Sequence, residues 1–355
     1  MERYLPLLKE LLYDPARPLA VFSAWAHALW AARGLPPVGL DLLFQLALAG
    51  AVSGFLTVNA LFIIWYERRL AALMQLRKGP NRVGPFGLLQ TLADTLKLLA
   101  KEDVNPAAID PLAFWLAPLL VFIPSFALFL VVPFGRGLIA GDINVGVLYI
   151  LAASGLTVIG ILAAGWGSNN KYSLIGGLRS AAQMVSYEVP MMLTILPAVM
   201  LAGSMRLGDI VAAQSGYSWF VLLQPVAFVL YLIAGNAEVN RGPFDLPEAE
   251  SELVAGFNTE YSAMKFSLFF LAEYTNLFLT SAIAVSLFLG GWEGPLLPPV
   301  LWFLLKTYFV ITLLCWARWT FPRIRVDQLM QFSWKYLLPV SLANLLISAA
   351  LMKLV

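Results

Sequence analysis

The sequence predicts an all-α membrane protein of about eight transmembrane helices, with an amphipathic helix on the cytoplasmic surface and long charged cytoplasmic loops. Three observations carry this. Of 355 residues, 60% are hydrophobic and only 12% charged, against about 25% charged in a soluble globular domain. Mean hydropathy is +0.78. The apolar stretches are continuous and long enough to supply the ~20 residues of a membrane-crossing helix, whereas barrel strands would alternate in segments of about 10 residues.

Uncharged windows place the spans. Asp41 to Glu67 encloses the first, Asp110 to Arg136 the second and Asp142 to Lys171 the third. The fourth covers Ala181 to Gly203 and holds Glu188 in its first half. The fifth covers Trp219 to Glu238. The sixth, Met264 to Leu289, contains Glu273, and the seventh, Pro298 to Ala317, contains Lys306. The eighth follows Lys335. Residues 41–355 thus form one polytopic membrane domain. Residues 1–40 are an N-terminal extension in which Pro18 to Ala32 is uncharged and carries Phe22, Trp25, His27 and Trp30. Fifteen residues are short for a span, so an interfacial helix is expected there.

The bases orient the chain. Connections after spans 1, 3, 5 and 7 carry Arg68, Arg69, Arg77, Lys78, Arg82, Lys97, Lys101, Lys171, Arg179, Arg241, Lys265, Arg318, Arg323, Arg325 and Lys335. The other side carries only Arg3, Lys9, Arg17, Arg33, Arg136, Arg206 and Lys353. By the positive-inside rule the first set is cytoplasmic. Composition also excludes functions. One cysteine, Cys315, and one histidine, His27, leave no Cys-held iron–sulfur cluster, zinc site or bis-histidine haem. No metal and no nucleic acid are expected, the latter because net charge is only +2.

Four cytoplasmic segments concentrate the chemistry. In the first, Glu67-Arg68-Arg69 precedes Arg77-Lys78-Gly79-Pro80-Asn81-Arg82-Val83-Gly84-Pro85, a turn-rich and rigid loop suited to docking a soluble partner. Phe86 to Lys101 follows as a surface helix with leucines on one side. The second segment, Lys171-Tyr172-Ser173 through Arg179, leads to Ser186-Tyr187-Glu188 and Pro190. A charged carboxylate at mid-bilayer costs about 2.5–3.5 kcal/mol, so Glu188 needs a cavity, a cation or a proton. In the third, Glu238, Arg241, Asp245, Glu248, Glu250 and Glu252 are followed by Glu260-Tyr261. Asp245 and Glu248 suit a capping box, and Glu248 and Glu252 share a helix face where like charges repel. Coupled acids of this kind suit a proton relay. Glu273 lies about 15 Å into span 6, and Lys306 at a similar depth in span 7 is a potential partner or a further polar step. In the fourth, Arg323 or Arg325 is positioned to pair with Asp327.

These strings, with Pro243-Phe244-Asp245-Leu246-Pro247-Glu248-Ala249-Glu250 and Pro322-Arg323 to Asp327-Gln328-Leu329, resemble the family of the H subunit of NADH-quinone oxidoreductase, the bacterial counterpart of mitochondrial complex I subunit 1. The similarity runs from about residue 41 to the end, with Gly242 departing from the Thr that many members carry. It implies a non-redox-centre subunit of the cell (inner) membrane that forms much of a quinone chamber, entered along spans 1 and 6 and the surface helix. Glu67, Arg68, Arg69, Arg77, Arg82, Arg241, Asp245, Glu260 and Tyr261 are implied in the chamber and in subunit docking. Glu188, Glu238, Glu248, Glu250, Glu252 and Glu273 are implied as proton-coupling acids. Quinone is the implied substrate, with no covalently bound cofactor on this chain. Flavin and iron–sulfur clusters belong to soluble partner subunits of the peripheral arm. Small and antiporter-like membrane subunits, and lipid, are the remaining partners. The homologous subunit of an energy-converting hydrogenase or of a deazaflavin-dependent dehydrogenase is the close alternative, and a stand-alone ion carrier the distant one.

Overall fold

The computed structural model describes Asp14, residues 37–247 and residues 250–354. The expected interfacial helix at Pro18 to Ala32, with His27, lies outside the described residues. Helix α1 (Pro37–Met74) is followed by a 3₁₀ turn and the surface helix α2 (Gln90–Ala100). Then come α3 (Pro111–Ala127), α4 (Gly146–Gly167), α5 (Lys171–Ala202) and the short α6 (Leu207–Ala213). The chain continues through α7 (Phe220–Leu223), α8 (Pro225–Glu238), α9 (Glu250–Leu253), α10 (Ala263–Phe288) and α11 (Pro299–Thr320). It ends with α12 (Val326–Phe332), a π-helical turn at Ser333–Leu337 and α13 (Leu338–Leu354). Seven of these units are long and apolar enough to cross a membrane, and the described residues form no strand.

The expected fifth span is not one helix. It breaks at Gln224, whose φ of −131° leaves the helical region, because Pro225 supplies no N–H to continue the ladder. α8 alone rises about 21 Å and counts as a shorter apolar helix, not as one of the seven. The gap is polar and covered: Asn344 and Ser348 on α13 donate to Gln224 Oε1 at 3.3 and 3.0 Å. Two ends also differ from expectation. α1 starts before Asp41 and runs past Glu67 to Met74, since Leu70 to Met74 are strong helix formers. The last span begins at Val326, upstream of Lys335.

Start signals work as elementary capping predicts. Asp110 Oδ1 accepts from Leu112 N at 3.2 Å and Asn170 Oδ1 from Tyr172 N at 2.9 Å. α5 stops at Gly203, which takes the left-handed φ of +66°. Without a hydrophobic drive between helices in lipid, small residues let backbones approach. α4 packs on α3 and α5 this way. A Cβ on Gly160 would lie 2.6 Å from Val121 Cγ2 and 3.0 Å from the Leu120 backbone; one on Gly165 would lie 2.7 Å from Ser173 O. α1 and α11 are joined by hydroxyls instead: Tyr308 Oη donates to Asn59 Oδ1 at 2.6 Å, and Tyr66 Oη lies 2.7 Å from Thr312 Oγ1.

Lys306 does not meet Glu273. α10 and α11 run antiparallel, so equal depth along each helix is depth from opposite membrane faces. Lys306 Nζ donates to the carbonyls of Leu289, Gly291 and Glu293 at 2.6, 3.2 and 2.6 Å, beyond the C-terminal end of α10. Glu273 is about 24 Å further back along that helix.

Close packing at Gly160 and open space around Gly50 give a paired prediction. Gly160→Ala should destabilise the protein by about 1–3 kcal/mol through overpacking. Gly50→Ala, with nothing within 4 Å of its Cβ, should be neutral or stabilising by about 0.5–1 kcal/mol. Thermal unfolding of the detergent-purified protein checks both.

Candidate functional site: a buried ion cluster beside a polar cavity

After α8 the backbone turns sharply. Asn240 adopts a left-handed φ of +56°, Arg241 N bonds back to Asn236 O, and Phe244 N bonds to Arg241 O at 2.9 Å. Buried Gln183 on α5 donates from Nε2 to both Ala237 O and Phe244 O at 2.7 Å, fastening each end of the turn. This drives Arg241 inward until it is 3% exposed. Its Nη1 donates to Glu67 Oε2 at 2.9 Å and its Nε to Glu273 Oε1 at 2.8 Å. The guanidinium carbon lies 4.3 Å from the centre of the Tyr274 ring. Arg318 closes the set from α11, donating to Glu67 Oε1 at 2.6 Å. Burial opposes the charge on Arg241, but Glu67 and Glu273 override it, so its proton is held more tightly than usual. Two guanidinium groups and two carboxylates thus come together from α1, the 239–249 loop, α10 and α11.

A cavity of about 50 Å³ adjoins Glu273. Glu238, Asn240, Asn258, Glu273, Asn276 and Thr157 give it a polar lining among Val121, Ile161, Met184, Phe257 and Phe269. Asn240 Oδ1 and Asn276 Oδ1 are buried there without a hydrogen-bond partner among the described residues. Buried acceptors of this kind are satisfied by water, and the space and number of polar groups suit it. On the same side of the cavity Glu238 lies close enough to Glu188 to interact with it electrostatically. Glu188 Oε1 in turn lies 3.7 Å from where a Cβ on Gly155 would sit. Glu273, Glu238 and Glu188 therefore form a series on three helices.

Two prolines shape the surroundings. Pro190 removes the N–H that would bond to Ser186 O, four residues earlier. That carbonyl accepts from Ser333 Oγ at 2.6 Å, in the π-helical turn. Pro118 likewise frees Phe114 O, which accepts from Tyr261 Oη at 3.2 Å, with the two rings stacked 4.2 Å apart. Burial pushes the Tyr261 phenol up, keeping it a hydrogen donor.

The remaining expected site residues lie apart from the cluster. Arg68 pairs with Asp94 on α2 at 2.6 Å, with both side chains exposed. Arg69 lies 6.0 Å over Phe86. Arg77 and Arg82 are exposed on the turn-rich loop. Asp245 pairs with Arg323 at 3.2 Å, and Arg325 pairs with Asp327 at 3.3 Å. Glu260 accepts from Asn170 Nδ2 at 2.6 Å. Glu252 is exposed and takes Arg179 at 2.5 Å; this hydrogen bond holds its carboxyl below the usual range. Glu248 and the Glu250 side chain lie outside the described residues, as does the capping box expected of Glu248. Arg318, Tyr274, Asn240 and Asn276 were not expected in the site. Asn276 follows Glu273 by three residues on one helix face, a spacing that could have marked it.

The chain matches the family model described as NADH dehydrogenase over residues 46–349. It is 57% identical over 296 residues to the H subunit of NADH-quinone oxidoreductase from Dehalococcoides mccartyi, covering 83% of each chain. It is 54% identical over 316 residues to the corresponding protein of Carboxydothermus hydrogenoformans, covering 88% and 90%. It is 46% identical over 347 residues to that of Bacteroides fragilis, covering 92% and 96%. The chain belongs to the NADH dehydrogenase family. The Arg241 cluster, the cavity and Glu188 all fall inside the stretch that matches this family of oxidoreductase subunits.

Two expectations follow from the geometry. Arg241→Gln leaves Glu67 and Glu273 short of their cation, and breaking a buried pair costs about 3–5 kcal/mol. Arg241→Lys should not restore stability, since one ammonium replaces a fork that reaches two carboxylates; thermal unfolding reads both. The Arg179–Glu252 pair holds the short α9 segment from the surface. With its carboxyl lowered on folding, its contribution is present above the ordinary carboxylate range and lost as pH falls through the lowered value. Hydrogen exchange at residues 250–253, corrected for intrinsic rate, should rise on acidification, in high salt and in Arg179→Ala.

Proposed function

We propose that this chain is the membrane subunit of a proton-translocating NADH:quinone oxidoreductase that lines the quinone chamber and couples quinone reduction to proton movement. The observation that carries the reading is the polar cavity that Glu273 of the Arg241 cluster shares with Glu238, which in turn interacts electrostatically with Glu188. Electrons arrive from an iron–sulfur cluster on a soluble partner subunit fed by that arm's flavin. Reduction of the quinone consumes two electrons and two protons. The loss of those protons changes the charge beside Glu67, Arg241 and Glu273, where low dielectric leaves it poorly screened. Glu273 answers by shifting a proton or reorganising cavity water, and Glu238 and Glu188 pass the change onward to the antiporter-like and small membrane subunits. Glu248, Glu250 and Glu252 are further acids of this route.

The loop carrying Arg77 and Arg82 is the docking face for the peripheral arm. Arg68, Arg69, Asp245, Glu260 and Tyr261 hold the chamber's shoulder, where α1, α2 and α10 admit quinone from lipid. Residues 41–355 act as one domain in the cell (inner) membrane, with the basic loops cytoplasmic.

Glu238→Gln and Glu273→Gln should each reduce proton translocation per quinone reduced severalfold in sealed vesicles, while the complex still assembles. Undiminished translocation by an assembled Glu238→Gln complex overturns the relay. Purification of the chain without flavin and iron–sulfur subunits overturns the wider reading.

A further inference from the structure

On the face opposite the basic loops, the connection from α10 to α11 forms an open basin of about 300 Å³, walled by Arg136, Trp292, Glu293, Gly294, Leu297 and Pro299. The loop beneath it is pinned. Lys306 holds three of its carbonyls. Trp302 Nε1 donates to Pro295 O at 2.6 Å, and a Cβ on Gly294 would lie 2.6 Å from the Trp302 ring. Leu296, also part of the lining, is 94% exposed and held at a left-handed φ of +69°, a conformation an L-residue with a Cβ adopts only when its surroundings impose it. The basin's shape is therefore set before anything enters it.

Among the described residues, the charged groups of its lining are one cation and one anion. Arg136 Nη2 lies 3.1 Å from Glu293 Oε1, with the two side chains 68% and 25% exposed. That contact occupies one of five guanidinium N–H donors. The remaining donors suit a phosphate. Glu293 accepts hydrogen bonds from a primary ammonium. The loop connects two helices long and apolar enough to cross a membrane, and tryptophan at such helix ends favours the headgroup region.

We propose that this basin binds the phosphoethanolamine headgroup of a phospholipid, with phosphate on Arg136 and ammonium on Glu293. A net-anionic headgroup is disfavoured by Glu293, and a choline lacks the N–H donors that Glu293 takes. A protein partner requires a patch of roughly 1,000 Å² with good complementarity, where this basin is the size of a headgroup. The site is remote from the Arg241 cluster, so the inference does not rest on the proposed coupling role.

The test uses the intact purified complex, stripped of lipid in mild detergent and titrated separately with phosphatidylethanolamine, phosphatidylcholine and phosphatidylglycerol, with bound lipid counted by native mass spectrometry. The wild type should retain one more phosphatidylethanolamine than Arg136→Ala. The apparent affinity in that variant should fall about tenfold, the loss expected for one charge-assisted hydrogen bond. Glu293→Gln should keep the phosphate contact and lose the preference for ethanolamine over choline. If Arg136→Ala fails to assemble, the headgroup preference of Glu293→Gln decides alone. The proposal is overturned by equal retention in wild type and variants, by equal binding of all three headgroups, or by loss of a protein subunit from the Leu296→Ser complex.

Discussion

A guanidinium that has lost its water must be surrounded by carboxylates, and Arg241 is such a group. Stripping an ion of solvent costs several kcal/mol even after relaxation, so 3% exposure is tolerable only with Glu67 and Glu273 both in place. Those two acids sit on α1 and α10, and Arg318 on α11 supplies the second cation that Glu67 needs. One buried charge thereby fixes the relative placement of three spans and a loop. The Asn240 turn and the two amide bonds from Gln183 follow from the same requirement, since they set how deep Arg241 reaches.

The second organising device is the carbonyl freed by an internal proline. A helix in lipid has no water to satisfy a lost backbone bond. Pro190 and Pro118 each leave an acceptor four residues back, and each acceptor is claimed by a hydroxyl from a distant segment, Ser333 and Tyr261. The helix defect becomes a specific tertiary contact. Tyr187 strengthens the first contact by donating to Leu329 O at 3.0 Å, so the segment bearing Glu188 is held by the last span.

Much of this was readable in the sequence and some was not, for identifiable reasons. Hydropathy found the spans because each charge inside a bilayer is costly, and it found Glu188 and Glu273 for the same reason, whereas Glu238 stood out as the first acid of the third cytoplasmic segment. It treated Trp219 to Glu238 as continuous because hydropathy is blind to the missing donor of Pro225. It paired Lys306 with Glu273 because depth was counted along each helix without the antiparallel sense of α10 and α11. Asn240 and Asn276 were overlooked since a lone amide beside apolar residues reads as packing; only the structure shows that both line one cavity and that both side-chain oxygens are buried without a partner among the described residues. Arg318 was visible as a base after span 7, but its partner Glu67 is distant in the chain.

The ion cluster and the cavity matter most in combination. Two guanidinium groups balance two carboxylates, so the cluster is neutral as it stands, and one proton gained or lost leaves a full unbalanced charge. In water such a charge would be screened over about 8 Å at physiological ionic strength; here apolar walls from Phe257, Phe269, Val121 and Ile161 surround the polar cavity beside it. In the proposed coupling role the field acts along the cavity, where amide side chains can reorient, rather than in the ring stack of Phe114 and Tyr261 nearby. A neutral, tightly bonded cluster next to a small wet space is a sensitive arrangement. Its resting state is stable because each charge is matched, and in the proposed coupling role the cavity side is the one that reorganises, since the other side is packed.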